Sequence, residues 1–518
     1  MKALIISTCD IGGGAAIAAY RLHRGLLAAG VDSRMLVKDK LSDDDTVVRF
    51  EAEARGNDWL LSLNLHVTTK ARAGGNNTTF SLPWPGESVA AHPLVQEADV
   101  INLHWVSQFM GPESVHGLLS LGKPVVWTLH DQRPFTGGCH YTAGCEGFLT
   151  NCERCPQLQP DYQAIPEQAL SLSDEALKDL PPLTVVTPSR WLGNEAKRSR
   201  LFSRYPIKVI PNGIDLEVFK PGNREAARTE LGLPVDALIL MFGAFTLGER
   251  RKGFDLLAAA IHSVLADPVI AEQQRIGKLV FAAYGRDEAT LKKSGLPVTL
   301  LGNQDTPEKM ARTLAAADLI ICPTREDNLP NVVIEAMACA IPVLSCDVGG
   351  VPDMITDREH GRLVAPESSE ALTRVLIETI RDPSTLPAMG RKGQIKCEAE
   401  YSLRRQGEGY AALFRSLSSQ SVAQVDDGQL RLLQNKMLGT LAQAQGLQVA
   451  MLKESNAQLV ASAREASQKA AAKPTAQAAL KMVEQELKDQ RTRGFTTRFS
   501  LTTWALRRVR DLFRSRQP

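Results

Sequence analysis

Residues 318–350 constrain the fold of this chain more than any other segment, because they hold two strand-like runs joined by a loop and a helix. Leu319–Cys322 is short and continuously apolar, as parallel strands buried on both faces are. Asn331–Ala340 has a helical composition with Pro330 near its first turn, and Ile341–Cys346 is a second strand-like run. Two strands separated by a helix predict parallel strands of an α/β sheet.

The loop and helix of this segment carry two carboxylates, Asp327 and Glu335, eight residues apart. A helix N terminus presents unpaired N–H groups to an anion such as a diphosphate, and nearby carboxylates can accept hydrogen bonds from sugar hydroxyls. Gly349 and Gly350 follow the second strand, where the missing side chains would let a ligand approach the backbone. The pattern predicts a nucleotide-sugar pocket. The alternative is an ordinary loop acid and an exposed helix residue.

The alternation of short strand-like runs with helical patterns continues along the chain and predicts two doubly wound α/β domains. We expect a first domain over residues 1–205, a turn-rich linker over 206–222 and a second domain over 223–416. Ligands of such sheets bind at the carboxyl ends of the strands, so the two domains should face a cleft. The predicted strands are Ala3–Ser7, Ser33–Val37, Val100–Leu103, Pro124–Leu129, Leu183–Thr187, Leu238–Phe242, Lys278–Tyr284, Val298–Leu301, Leu319–Cys322 and Val343–Cys346.

The acid pair, the Ile-Pro-Asn-Gly-Ile-Asp run at 210–215 and the Pro-Ser-Arg-Trp-Leu run at 188–192 resemble the family four glycosyltransferases. The resemblance extends from residue 1 to about residue 415, and its nearest branch is the colanic acid and O-antigen group, in which Asp-Asn-Leu-Pro-Asn is common. It implies the GT-B fold, in which two Rossmann-like domains face a cleft. It also implies a retaining, metal-independent hexosyltransferase that needs no general base or nucleophile recognisable from sequence.

The same resemblance assigns roles to the residues of the acid segment. Glu335 would hold the ribose of the nucleotide and Asp327 the hydroxyls of the transferred sugar. Asn328, Leu329 and Asn331 would belong to the same donor pocket. The family usually has glutamate where this chain has Asp327, and the shorter side chain changes the sugar contacts.

Three cations, Arg250, Arg251 and Lys252, precede the helical pattern Phe254–Val264, where they oppose the helix macrodipole. An anionic ligand would explain them. By resemblance, Lys252 neutralises the donor diphosphate and Arg251 assists, although Thr246 stands where the family often has a further arginine. The alternative is a solvated basic turn.

Gly12-Gly13-Gly14 lies between the first predicted strand and the helical stretch Ala15–Ala29. A G-x-G-x-x-G pattern starting at Gly12 would require glycine at Ile17, which argues against a hydride-transferring dinucleotide enzyme. The resemblance gives Gly13 and Gly14 a place in the donor pocket, and the alternative is a flexible turn.

Two histidines end strand-like runs of the first domain and should face the cleft. His104 follows Val100–Leu103 and His130 follows Val125–Leu129. A histidine can position a sugar hydroxyl or exchange a proton with it, and by resemblance His130 is the better candidate for contact with donor sugar or acceptor. The alternative is a histidine that is only hydrogen-bonded in place.

Four cysteines, Cys139, Cys145, Cys152 and Cys155, form a C-x5-C-x6-C-x2-C cluster in an insertion near residues 139–155. In a cytosolic protein such a cluster favours structural zinc over disulfides, and His140 could replace one ligand. Zinc and free thiols are both open. No cofactor is expected for catalysis itself.

The tail at 417–518 is rich in glutamine, alanine and leucine and has weak helical periodicity. From Arg491 to Pro518 it contains eight arginines and one aspartate, and Leu501, Ala505, Val509, Leu512 and Phe513 share one helical face. This pattern predicts a helix that binds a membrane surface or a protein partner, consistent with a lipid-linked acceptor; a solvated basic tail is the alternative.

The whole chain has a formal charge of +2, which gives no nucleic-acid footprint. Ala3–Ile6 is too short for a signal segment, and we expect a cytoplasmic protein, peripheral on the membrane at most. The sequence thus predicts a glycosyltransferase that uses a nucleotide-sugar donor and a saccharide acceptor in surface-polysaccharide biosynthesis. The alternatives are a nucleotide-sugar epimerase of the same fold and a catalytically degenerate scaffold that acts through its tail.

Overall fold

The computed structural model describes residues 1–51, 58–74, 78–83, 86–178, 180, 183–243 and 245–418. Within these residues the chain forms two parallel β-sheets. The first has the order β3-β2-β1-β4-β5-β6-β7 and the second β10-β9-β8-β11-β12-β13. The strands are β1 Lys2–Cys9, β2 Asp32–Asp39, β3 Val47–Arg49, β4 Val100–Leu103, β5 Val125–Thr128, β6 Thr184–Thr187, β7 Ile207–Val209, β8 Leu238–Gly243, β9 Leu279–Tyr284, β10 Val298–Leu300, β11 Leu319–Cys322, β12 Val343–Cys346 and β13 Gly361–Val364.

Helices connect the strands in the right order for doubly wound sheets, and several begin at a residue that caps them. Ser189, for example, accepts a hydrogen bond from the backbone N–H of Leu192 at the start of its helix. The helices are α1 Gly14–Ala28, α2 Asp58–Thr69, α3 Pro93–Glu97, α4 Pro112–Leu119, α5 Ile165–Ala176, α6 Arg190–Arg198, α7 Arg224–Glu230, α8 Phe254–Val264, α9 Pro268–Arg275, α10 Glu288–Ser294, α11 Pro307–Ala315, α12 Asn331–Ala338, α13 Val351–Met354, α14 Ser369–Arg381, α15 Leu386–Glu400 and α16 Leu403–Ser418.

Both faces of each sheet are buried, which explains why the strands are apolar without alternation. In β1, Leu4 and Ile6 pack into one hydrophobic core, while Ala3 and Ile5 pack into another on the opposite face. The second sheet is divided in the same way between two cores. The predicted α/β fold class is therefore confirmed.

The chain crosses from the first sheet to the second and back. The predicted linker at 206–222 begins with β7, which is the last strand of the first sheet. The last described helix, α16, returns from the second half to pack on α1, where Gly407 lies against the backbone of Gly25. The predicted second domain, residues 223–416, therefore contains most of α16, although this helix packs on α1 of the predicted first domain.

The predicted tail at 417–518, including its basic end, lies outside the described residues beyond Ser418. Among the described helices, none has by itself the length and apolar character needed to cross a membrane. The successive helices α8 and α9 meet that test only as a pair, and the chain bends by 101° between them.

Candidate functional site

The predicted site residues lie where the strand order of each sheet reverses. In the first sheet, β1 lies between β2 and β4, and in the second, β8 lies between β9 and β11. The connections that leave the carboxyl ends of such strand pairs diverge and open a crevice for ligands. Gly12–Gly14 follow β1, His104 follows β4, Lys252 lies in the connection after β8, and Asp327 follows β11.

Asp327 is buried, at 7% exposure, and its carboxylate lies between two cations. Its Oδ2 accepts hydrogen bonds from Lys252 Nζ and from an Arg251 guanidinium N–H, both at 2.9 Å. Burial alone would raise the pKa of Asp327, but the charges of Lys252 and Arg251 outweigh it and lower the pKa to about 2. Asp327 is therefore an anion at neutral pH.

The two cations differ in how far a ligand can reach them. The Arg251 side chain is 9% exposed, lies 4.1 Å above the Tyr141 ring and also binds Glu249 and the Glu326 carbonyl. The Lys252 side chain is 40% exposed. Of these two cations, Lys252 is thus the one that an anionic ligand can reach, while Arg251 connects the turn before α8 to the loop that carries Asp327.

The three cations of this turn are neutralised by the protein's own carboxylates. Arg250 pairs with Glu367, Arg251 with Glu249 and Asp327, and Lys252 with Asp327. An anionic ligand is therefore not required to explain their position before α8.

Glu335 lies on α12 and is paired with a residue that the sequence analysis did not identify. Its Oε1 accepts a hydrogen bond from Arg21 of α1 at 2.8 Å, and both side chains are about nine-tenths buried. The Arg21 guanidinium also lies 5.3 Å from the centre of the Phe219 ring. One turn earlier on α12, Asn331 donates a hydrogen bond to the Gly14 carbonyl at 3.1 Å. The glycine loop and the acid helix are therefore in direct contact.

The residues next to Asp327 have mainly structural contacts. The Asn328 amide accepts from Ser189 Oγ at 2.6 Å and donates to the His130 carbonyl at 3.0 Å, so both polar atoms of its side chain have protein partners. Leu329 packs in the core of the second half, which limits any ligand contact to its backbone.

Gly349 and Gly350 approach the Asp327 loop and not a ligand. A β-carbon on Gly350 would lie 1.7 Å from the Asn328 carbonyl, and one on Gly349 would lie 1.9 Å from that of Asp327. The expectation that these glycines make room for a ligand was wrong, because the loop backbone fills that room.

The glycine loop is fixed by Asp10, which the sequence analysis also missed. This fully buried carboxylate accepts hydrogen bonds at 2.9 Å from the backbone N–H groups of Ile11, Leu41 and Ser42. Gly13 has φ of 100°, and a β-carbon there would have no neighbour within 4 Å. Gly13 therefore serves the turn, and the space beside it is open.

His104 and His130 lie together at the ends of β4 and β5. Their rings are stacked with centres 5.1 Å apart, and His104 Nδ1 is 2.8 Å from His130 Nε2. Burial lowers the pKa of His130 to about 4 and lowers that of His104 as well, so both rings are neutral at neutral pH. Both also line a mainly apolar cavity, together with Trp105, Met110 and Trp127.

The four cysteines of the insertion line one small cavity. His140 is not available as a substitute ligand, because Asp131 and Ser81 each lie 2.7 Å from one of its two ring nitrogens. In the part of the chain that the structure describes, no three or more His, Cys, Asp or Glu side chains are arranged so that they could hold a metal ion. Structural zinc stays a prediction. The insertion instead contacts the loop that carries Asp327, because the Ala143 N–H donates to Glu326.

Taken together, the arrangement places an accessible cation, two buried carboxylates and the first turn of α12 around one crevice. Lys252 can bind a phosphate oxygen, and the carboxylates can accept hydrogen bonds from hydroxyl groups. The backbone carbonyl of His130 accepts the hydrogen bond from Asn328 beside this crevice, and its neutral ring lines the apolar cavity of the first half.

Two family descriptions match the chain, one for each half. The model described as Glycosyltransferase Family 4 matches residues 12–218, and the one described as Glycosyl transferases group 1 matches residues 236–382. Each half of the chain is thus similar in sequence to a glycosyltransferase family, and its two parallel sheets with their helices form the GT-B fold.

Individual proteins agree with this assignment. The D-inositol 3-phosphate glycosyltransferase of Segniliparus rotundus is 31% identical over 215 residues, which are 40% of this chain and 47% of that protein. A GDP-mannose-dependent monoacylated alpha-(1-6)-phosphatidylinositol monomannoside mannosyltransferase of Corynebacterium glutamicum is 31% identical over 230 residues, 42% of this chain and 58% of that protein. The chain thus matches about half the length of each relative.

A solved structure supports the fold. The Anabaena protein HepE, in complex with UDP and glucose, superposes with a TM-score of 0.54 at 16% identity, over 80% of this chain and 100% of that one.

Proposed function

We propose that the chain is a retaining glycosyltransferase that moves a hexose from a nucleotide-sugar donor to a saccharide acceptor in surface-polysaccharide biosynthesis. The observation that carries the proposal is the ion pair between Lys252 and Asp327 at the crevice, with Glu335 on the helix that follows. This is the set of groups that a nucleotide diphosphate sugar needs: a cation for the diphosphate and carboxylates for the ribose and sugar hydroxyls.

Lys252 and the first turn of α12 would take the diphosphate. Glu335 would accept hydrogen bonds from the ribose, and Asp327 from the hydroxyls of the hexose. The partly exposed Lys252 side chain supports the first assignment, since the more deeply buried Arg251 is held by four protein groups.

Catalysis on this proposal is mainly electrostatic and needs no metal ion. The bond between the anomeric carbon and the diphosphate oxygen breaks, and Lys252 stabilises the charge that develops on the leaving group. The acceptor hydroxyl attacks from the same face and gives its proton to the departing oxygen, so the anomeric configuration is retained. His130 would orient an oxygen of the sugar or of the acceptor.

We further propose that the acceptor is linked to a lipid and that the enzyme works on the cytoplasmic face of a membrane. Two observations support this: the basic composition of residues 491–518 and the lipid-bearing saccharide in the name of the Corynebacterium relative.

The test is thermal unfolding with a panel of UDP-, GDP- and ADP-sugars. At about one hundred times Kd, the donor should stabilise the protein by about 2.7 kcal/mol, a rise of several degrees in Tm. Lys252→Met should lose most of this rise. Lys309→Met is the matched control, because Lys309 forms an ion pair of the same length, 2.9 Å, at similar exposure on α11.

Release of free nucleotide distinguishes the remaining alternatives. A transferase should release it faster when a saccharide acceptor is added. Conversion of the sugar without an acceptor would indicate an epimerase, and failure to bind any nucleotide would favour the scaffold.

A further inference from the structure

A chain of hydrogen bonds extends through the interior of the first sheet to His130. Tyr410 Oη lies 2.9 Å from Thr128 Oγ1, which lies 3.0 Å from Asn102 Oδ1. Asn102 Nδ2 lies 3.0 Å from His104 Nε2, and His104 Nδ1 lies 2.8 Å from His130 Nε2. The first four residues are at most 2% exposed, so water does not compete for these bonds.

The amide of Asn102 sets the direction of the whole chain, because its oxygen only accepts hydrogen bonds and its nitrogen only donates them. Thr128 donates to Oδ1, so the NH2 group donates to His104 Nε2, which must be unprotonated. A neutral imidazole has one proton, and in His104 that proton is therefore on Nδ1 and is donated to His130 Nε2. The proton of His130 is then on Nδ1.

We infer that His104 is a positioning residue that fixes the proton of His130 on Nδ1, so that His130 offers its ligand an N–H donor and not a basic nitrogen. The inference deepens the proposed function and rests on it only in taking His130 as a ligand contact. It assigns His130 to orienting an oxygen atom and excludes it as the base that removes the acceptor's proton.

The surroundings of His130 agree with this role. Among the described residues, His130 Nδ1 has no hydrogen-bond partner. The indole N–H of Trp127, which belongs to the lining of the same cavity, is buried and has no partner in the described part of the chain. An N–H donor on His130 suits an oxygen-bearing ligand group, either a sugar hydroxyl or a phosphate oxygen. The low pKa of His130, about 4, keeps its ring neutral at neutral pH, so the ring carries a single proton.

The direction of the chain can be reversed by one nearly isosteric substitution. Asn102→Asp replaces the donating NH2 with an oxygen that accepts, so the proton of His104 should move to Nε2. His104 Nδ1 then accepts from His130 Nε2–H, and His130 Nδ1 becomes a bare nitrogen. The hydrogen-bond distances need not change, but the buried carboxylate carries a desolvation penalty, so thermal unfolding first verifies that the variant is folded.

The experiment is nitrogen NMR of the full chain labelled in the histidine rings, which reports the nitrogen that carries each proton. Wild type should show His130 protonated on Nδ1, and Asn102→Asp should show it on Nε2. The signals of His23, which is buried against Ser33 and Thr46, should be the same in both proteins and serve as the control. Transfer by Asn102→Asp should fall about tenfold in kcat, as expected for one lost neutral hydrogen bond, with little change in donor KM.

Each outcome has one meaning. His130 protonated on Nε2 in wild type, or on both nitrogens at neutral pH, would overturn the inference even if transfer is observed. Protonation on Nδ1 without transfer from any donor would support the tautomer and contradict the proposed function. The chemical shift of the His130 Nδ1–H signal also identifies the ligand atom. If the ligand atom is a phosphate oxygen, the nucleotide diphosphate alone should change this shift. If it is a sugar hydroxyl, only the intact nucleotide sugar should change it.

Discussion

The ion pair between Arg21 and Glu335 should contribute to two separate properties, the stability of the fold and the binding of the nucleotide. Arg21 lies on α1 of the first half and Glu335 on α12 of the second, 314 residues apart in sequence. Arg21→Met removes the charge and leaves Glu335 buried without its partner. Glu335→Gln removes the carboxylate itself, which is the group we assign to the ribose.

The magnitude follows from the burial of the pair. Both side chains are only about one-tenth exposed and the N–O distance is 2.8 Å. Removal of one partner from such a buried pair costs about 3 kcal/mol, because the other charge keeps its desolvation penalty. At about 2–4 °C per kcal/mol, Arg21→Met should lower Tm by about 6–12 °C.

The assay is thermal unfolding of wild type and both variants, each without ligand and with the nucleotide sugar that binds best. Both variants should unfold at a lower temperature without ligand. Arg21→Met retains the Glu335 carboxylate and should keep most of the ligand-induced rise in Tm, whereas Glu335→Gln should lose it.

Arg24→Met is the control for a general effect of removing arginine from α1. Arg24 pairs with Asp44 at 3.3 Å, but its side chain is 52% exposed, so its loss should cost at most about 1 kcal/mol. A Tm for Arg21→Met equal to that of Arg24→Met would refute the structural importance of the pair. A full ligand-induced rise in Glu335→Gln would refute the ribose assignment.

Three further predictions concern acid, metal and membrane. The pKa of folded Asp327 is about 2 against an ordinary 3.8, so its carboxylate should contribute stability above about pH 4 and lose it as pH falls towards 2. The difference in unfolding free energy between wild type and Asp327→Asn, about 2 kcal/mol from the pKa shift, should therefore shrink from pH 5 to pH 3, and a constant difference would contradict this. Metal analysis of the purified protein should find one zinc ion per chain, and less zinc in Cys155→Ser. A metal-free protein in which the four cysteine thiols of the insertion react with a thiol reagent would refute the zinc site. Deletion of residues 491–518 should reduce sedimentation with vesicles that contain anionic lipid, in a salt-dependent way, without changing the ligand-induced rise in Tm; unchanged sedimentation would leave the basic end without this role.

The fold could be predicted where strands are buried on both faces. The predicted bounds of Leu319–Cys322 and Val343–Cys346 are those of β11 and β12. The edge strands β3, Val47–Arg49, and β13, Gly361–Val364, were missed because each has only two apolar residues beside an arginine. Such a strand forms because its backbone pairs with the neighbouring strand, and no apolar run in its own sequence indicates it.

The site could be predicted only in part, for a related reason. Asp327 and Lys252 were recognisable because each belongs to a local run with a distinctive composition. Arg21 and Asp10 were not, since an arginine within a helix and an aspartate after a strand are ordinary surface residues by pattern. What makes them important is the partner that folding brings to them, and that partner lies far away in the sequence or is a backbone N–H group.

On the proposed function, donor binding is an exchange of partners and not the filling of an open site. Lys252 binds Asp327 in the structure, and a diphosphate that binds Lys252 competes with that carboxylate. Where the diphosphate displaces Asp327 from Lys252, Asp327 Oδ2 keeps Arg251 and can accept a hydrogen bond from a hexose hydroxyl in place of the one from Lys252. Binding of the diphosphate to Lys252 thus also makes the Asp327 carboxylate available to the hexose hydroxyls. A nucleotide diphosphate without the sugar would compete with Asp327 for Lys252 but would offer no hydroxyl to the Asp327 carboxylate. The intact donor should therefore bind more tightly than its nucleotide diphosphate, and Asp327→Asn should abolish that difference in affinity.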